Sequence, residues 1–225
     1  ISSLRKFISD NIGSSADEDV QKNFETFEEK IVPLGEELAQ TIREKFIPAL
    51  KSGQFGFVLD SKASTTRIQK TLPTSSKPLP LIAPAIVLSL DDDVLFREGL
   101  SDVFALSDKL LSVIREIDDD AIPSEYRIPD PEEQDTPGGS VWNFALPESG
   151  LDEQIQLSVG VGKETAVFSL VPDQAKRLLK STSLTLEGDV SMNLAAAAIL
   201  DWVAFANVLE PWVNYVIRCG GVMQD

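Results

Sequence analysis

The chain has 225 residues, 43% of them hydrophobic, with a mean hydropathy of −0.01, which is enough to bury one sizeable core or two small ones and predicts a soluble globular protein. Its 20 basic and 36 acidic residues give a net charge of −16, which repels nucleic acid and anionic membrane surfaces over much of the molecule and argues against nucleic-acid binding. There is no histidine, which removes the commonest general base, the commonest zinc ligand and any serine–histidine or cysteine–histidine couple. Ile1 in place of methionine predicts a mature or excised piece of a longer protein.

Residues 1–12 predict a short separate helix. After Ser14 and Ser15, with Glu18 in capping-box spacing, apolar residues recur every three or four positions at Val20, Phe24, Phe27, Ile31, Leu34, Leu38, Ile42, Phe46 and Leu50. One long helix follows from that stripe, kinked at Pro33 and Pro48, where an amide donor is lost, and stopped at Gly53. Phe55, Phe57 and Leu59 then alternate as a strand that ends on Asp60. Residues 61–83 hold Lys62, Arg67, Lys70 and Lys77 and predict a connecting loop with extended pieces.

The run 84–90 is the clearest strand, and Asp91, Asp92 and Asp93 lead from it into a helix. Phe96, Leu100, Val103, Leu110, Ile114 and Ile117 give that helix its apolar stripe, widened by Leu106 and Val113. An acidic residue at such a junction accepts hydrogen bonds from free amides and faces the positive end of the helix dipole. Residues 118–139 lose all periodicity and predict a long loop or a boundary, with sub-division at 1–120 and 138–225 as the alternative to a single domain. Between residues 91 and 135 there are 15 acidic and 4 basic side chains, so the negative charge is local.

Beyond it, Val141, Trp142, Phe144 and Leu146 predict a strand, and 155–161 and 165–171 predict an antiparallel hairpin turning at Gly162 and Lys163. Pro172 and Asp173 open a helix with Ala175, Leu178 and Leu179 inward. Residues 195–200 predict a small-residue strand. Trp202, Phe205, Leu209, Trp212 and Val216 mark a last helix, bent at Pro211 and closed by Gly220 and Gly221, with Trp202, Phe205, Trp212 and Tyr215 expected in the core. The segment 194–217 is broken by Asp201, Asn207, Glu210, Pro211 and Asn214, and so falls short of the roughly 18 uninterrupted apolar residues of a membrane span.

The chemistry-bearing features are few. Cys219 is the only cysteine, excludes an intrachain disulfide, and reads as a free, partly buried thiol. Neither aspartate triplet has the glycine and glutamate spacing of an EF-hand loop, although a looser calcium site could draw on Asp118, Asp119, Asp120, Asp130 and Glu132. A facing pair among the acids could run carboxylate-dependent hydrolysis, and the spacing alone does not select which pair. The GVGKET segment at 160–165 lacks phosphate-loop spacing and sits in a hairpin turn.

The order of GQFGFVLDSK, then KPLPLIAPAIVLSLDDDVLFREGLSDVFALSDKLLSVIRE, then LSVGVGKETAVFSLVPDQAKRLLKSTSL, then AILDWVAFANVLEPWVNYVI resembles uncharacterised secreted proteins of planctomycete bacteria. That resemblance implies a periplasmic or secreted location and no known activity, and it carries over no functional residue. The expected architecture is α+β, a mostly antiparallel sheet covered by helices on one face, with repeated strand–aspartate–helix units and a long N-terminal helix. The expected function is a non-enzymatic extracytoplasmic binding or structural module, without catalytic residues or cofactor, whose partner is a protein or a cell-envelope component. A carboxylate-dependent hydrolase and a calcium-binding module through the 118–135 loop are the alternatives.

Overall fold

Two prolines shape the first helical stretch. Neither can donate an amide hydrogen, and each follows closely on a turn that widens into π-helix. The path runs through a π-turn at Phe27–Ile31, helix α1 at Val32–Thr41 with Pro33 in its first turn, a second π-turn at Ile42–Phe46, and a last α-turn at Ile47–Ala49 that holds Pro48. Gly53 then reverses the chain at φ +66°, a conformation that disfavours side chains with a Cβ. The computed structural model describes residues 27–51, 53–117, 126–146, 149–180 and 200–222. The predicted helices before Phe27 and the strand expected at 195–200, apart from Leu200, lie outside these.

The remaining elements are strands β1 (Phe55–Asp60), β2 (Ser64–Thr65), β3 (Leu79–Pro80) and β4 (Ala83–Ser89), helix α2 (Asp93–Ile117), strands β5 (Glu132–Thr136), β6 (Gly139–Phe144), β7 (Leu157–Val161) and β8 (Thr165–Ser169), and helices α3 (Pro172–Leu179) and α4 (Trp202–Val222). The fold is α+β, and its six-stranded sheet, ordered β1-β4-β8-β7-β6-β5, is antiparallel throughout. The chain divides into two compact units, each made of two segments: residues 1–52 with 90–129, and residues 53–89 with 130–225.

In the first unit α1 and its flanking turns pack on α2. Phe96 is buried and meets the Phe46 ring edge to face, with centroids 5.1 Å apart and planes at 76°. Leu100, Leu106 and Ala49 close the same core, whereas Leu110 of the predicted stripe is exposed. Asp92 caps α2 by accepting a hydrogen bond from the Leu95 amide at 2.9 Å, so the strand–aspartate–helix junction at β4 has the predicted form.

In the second unit α3 covers one face of the sheet. Ala175 and Leu179 bury themselves against Ala85, Val141 and Val167, with Leu178 at the margin. Gln174, fully buried, joins the helix to the sheet: its Nε2 donates to the Ala83 carbonyl at 2.8 Å and its Oε1 accepts from the Ser169 hydroxyl at 2.6 Å.

The repeated unit expected from the sequence does not extend along the chain. Asp201 caps α4 through the Ala204 amide at 2.9 Å, but Asp60 is followed by a turn and β2 rather than a helix. Its carboxylate instead accepts from the Arg177 guanidinium at 2.8 Å. Asp173 lies inside the first turn of α3, where it pairs with Lys176 at 3.3 Å and caps nothing. Helix α4 also continues through Gly220 and Gly221 to Val222, so that pair does not close it.

Candidate functional site

Facing stripes of α1 and α2, both in the first unit, leave a groove of about 360 Å³ lined by Glu37, Gln40, Thr41, Lys45, Asp102 and Lys109 among others. The π-turn at Ile42–Phe46 carries Lys45 one turn beyond Thr41, and both reach the same carboxylate. The Lys45 ammonium stands 2.8 Å from Asp102 Oδ2, and the Thr41 hydroxyl donates to that oxygen at 3.2 Å. Glu98, one turn before Asp102, lies 3.7 Å from the same ammonium, and Lys109 pairs with Glu37 at 2.6 Å. The sequence holds the signal for this cluster, since Thr41 and Lys45 share the i,i+4 spacing of Glu98 and Asp102, but nothing in it aligns the two helices.

The electrostatics of the groove are those of a strut. Its hydrogen bond to Lys45 holds the Asp102 carboxyl below the usual carboxylate range, and the bond back to Asp102 holds the Lys45 ammonium above the usual lysine range. A carboxylate so stabilised is a poor general base, and an ammonium so stabilised is a poor nucleophile.

The predicted calcium ligands are only partly in view. Asp118, Asp119 and Asp120 lie outside the described residues. Asp130 is exposed in the segment before β5, and Glu132 is exposed at its first position, where it pairs in register with Asn143. Among the described residues, no three or more His, Cys, Asp or Glu side chains are grouped to hold a metal ion. Cys219 is a free thiol, half-buried beside Tyr215. Burial is the main force that pushes the Tyr215 phenol up.

Among the described residues of the second unit, the most exposed large apolar side chains stand on β1 and α4. On the sheet face opposite α3, Phe55, Phe57 and Leu59 of edge strand β1 are 79%, 64% and 57% exposed, and Ile86 of β4, in register with Phe57, continues the patch. On α4, Trp202, Val203, Val213, Val216 and Ile217 are each more than half exposed. This overturns the expectation that Trp202 and Phe205 lie in the core. The helix packs through Val208, Trp212, Tyr215 and Cys219, a stripe rotated from the predicted one, and of the predicted core aromatics only Trp212 and Tyr215 turn inward. The polar groups of those two rings fix the rotation: the Trp212 indole donates to the Pro80 carbonyl at 2.8 Å and the Tyr215 hydroxyl to the Pro73 carbonyl at 2.5 Å.

No helix among the described residues is long and apolar enough to cross a membrane. Comparison with protein-family models, with curated proteins and with solved structures finds no match.

Proposed function

We propose that the protein is a non-enzymatic module, extracytoplasmic in location, that acts by surface contact with a protein or cell-envelope component. One observation carries this reading: large apolar side chains stand out on β1, with Phe55, Phe57 and Leu59 side by side, where a monomer without a partner gains nothing from exposing them. The charged groove between α1 and α2 supports the same reading, because Lys45, Asp102, Glu37 and Lys109 are engaged with one another. The extracytoplasmic location rests on the resemblance to secreted planctomycete proteins.

The test is turnover. The purified chain, with Asp102→Asn and Glu37→Gln as companions, is assayed against generic ester, glycoside and phosphate substrates, and no hydrolysis above buffer is expected. Turnover abolished by a single carboxylate substitution would replace this reading with a carboxylate-dependent hydrolase.

A further inference from the structure

We propose that β1 is a self-association strand: a second copy of the chain pairs antiparallel along its outer edge and continues the sheet across a two-fold axis. The sheet order places β1 at one end, where β4 alone pairs with it among the described residues. The phase of that pairing is fixed by the Ser89 amide, which donates to the Gln54 carbonyl at 3.0 Å and makes these two a hydrogen-bonded pair. Bonded and non-bonded pairs alternate, so Gly56, Val58 and Asp60 turn their main-chain groups to β4, while Phe55, Phe57 and Leu59 turn theirs outward. The same three residues carry the exposed apolar side chains. A row of amides and carbonyls thus lies open beside a row of apolar side chains, and the occupant that satisfies both is an extended strand.

Register and charge select the strand. In a chain of which 25% is charged, β1 carries no charge from Phe55 to Leu59. Turned antiparallel on itself, it sets Phe57 against Phe57 of the partner subunit on the two-fold axis and Phe55 against Leu59 of the partner subunit. Every outward main-chain group then meets its complement, and all three side chains share one face. Gln54 stands opposite Asp60 of the partner subunit, so no like charges face each other. The other edge of the sheet is guarded, because Glu132, Glu133 and Asp135 of β5 are exposed. Pairing β5 with β1 would set a carboxylate beside the phenylalanines, and pairing it with itself would set acid beside acid. Association through β1 therefore closes as a dimer instead of growing into a filament. Two copies of net charge −16 repel each other, while the pairing rests on apolar contact and main-chain bonds, so salt strengthens it.

The second copy is here the protein partner of the function proposed above and rests on that reading. A chain that stays monomeric removes the second copy alone, and the non-enzymatic reading falls only to substrate turnover. The experiment is sedimentation equilibrium of the 225-residue chain from about 1 to about 300 μM. That range suits a reversible dimer, since a strand of 6 residues covers less than the roughly 800 Å² per partner of a standard interface. The mass should rise from 24.6 kDa toward twice that value with concentration, and association should tighten severalfold in ~0.5 M salt. Phe57→Asp, which brings two carboxylates together on the axis, should hold the chain at the monomer mass throughout, with its melting temperature at low concentration unchanged. Should that variant unfold, Leu59→Lys makes the same test at the end of the strand and should weaken association about tenfold. Val213→Asp, on α4, should leave the dimer intact. A monomer at every concentration, a dimer indifferent to the β1 substitutions, or a dimer lost in Val213→Asp overturns the proposal. So does association weakened by salt, or a mass that climbs beyond the dimer, since the pairing then rests on ion pairs or does not close.

Discussion

The Gln174 side chain, on α3, donates to the main-chain carbonyl of Ala83 at the first position of β4, a bond of 2.8 Å with no water-accessible surface on the glutamine. Its other end accepts from Ser169 in β8 at 2.6 Å, so one amide fastens a helix to two neighbouring strands. Gln174→Leu keeps the volume but strands the Ala83 carbonyl, and a buried acceptor without a donor costs about 1–3 kcal/mol. Urea denaturation should show a loss in that range, and an unchanged midpoint would mean that the amide contributes nothing to the attachment.

Two phenylalanines separate core from surface. Phe96 is buried against Phe46, and Phe96→Ala should cost about 3–5 kcal/mol through lost contact and the cavity left behind. Phe57 projects from β1 into solvent, so Phe57→Asp should change stability by less than about 1 kcal/mol. Comparable losses in the two variants would mean that the β1 face is covered.

Gly139 has φ +140°, and a Cβ placed on it would lie 2.2 Å from the Val161 carbonyl oxygen across the β6–β7 pair. Gly139→Ala should lower stability by about 3 kcal/mol or more, because neither the backbone angle nor the facing oxygen can yield cheaply. Gly35, inside α1, has nothing within 4 Å of its would-be Cβ. Gly35→Ala should therefore raise stability by about 0.5–1 kcal/mol through helix propensity and a less flexible unfolded chain. Thermal melts of the two variants should move in opposite directions.

The Lys45–Asp102 pair sets a pH window. The Asp102 carboxyl is held low, so its contribution is present above the ordinary carboxylate range and is lost as pH falls through the depressed value. The Lys45 ammonium is held high, so its contribution is present below the ordinary lysine range and is lost as pH rises through the raised value. Both side chains are partly exposed, which keeps the effect small and sensitive to salt. Asp102→Asn should melt slightly below the parent at neutral pH and coincide with it in strong acid. A gap that persists in acid would assign the effect to packing instead.

Much of this was legible because most elements obey a single period. The alternation at 157–161 and 165–169 is that of a strand with one face covered, and β7 and β8 form the predicted hairpin. Strand β5 escaped notice because EEQDT has no apolar alternation: at the sheet edge it is held by backbone pairing to β6, and its first four side chains are exposed. The orientation of α4 escaped for the opposite reason. The helix is apolar on most sides, so periodicity could not choose a face, and the choice fell to the indole of Trp212 and the hydroxyl of Tyr215, whose acceptors, Pro80 in β3 and Pro73 before it, lie more than a hundred residues earlier. The groove required two helices to align Lys45 with Asp102, and that alignment is a product of packing.

Strand β4 pairs with β8 through Ser89 and Thr165, and the whole of α2 lies between them in the chain. During synthesis the β1–β4 ribbon therefore emerges long before the strand that completes it, and a lone two-stranded ribbon is marginal in water. The α1–α2 pair has both its parts available sooner and makes its contacts over a shorter stretch of chain. Assembly thus favours the helical unit first, with Val58 and Ala85 left as an uncovered apolar face until the β7–β8 hairpin and α3 arrive, which makes that interval the point at which the nascent chain most needs protection from association.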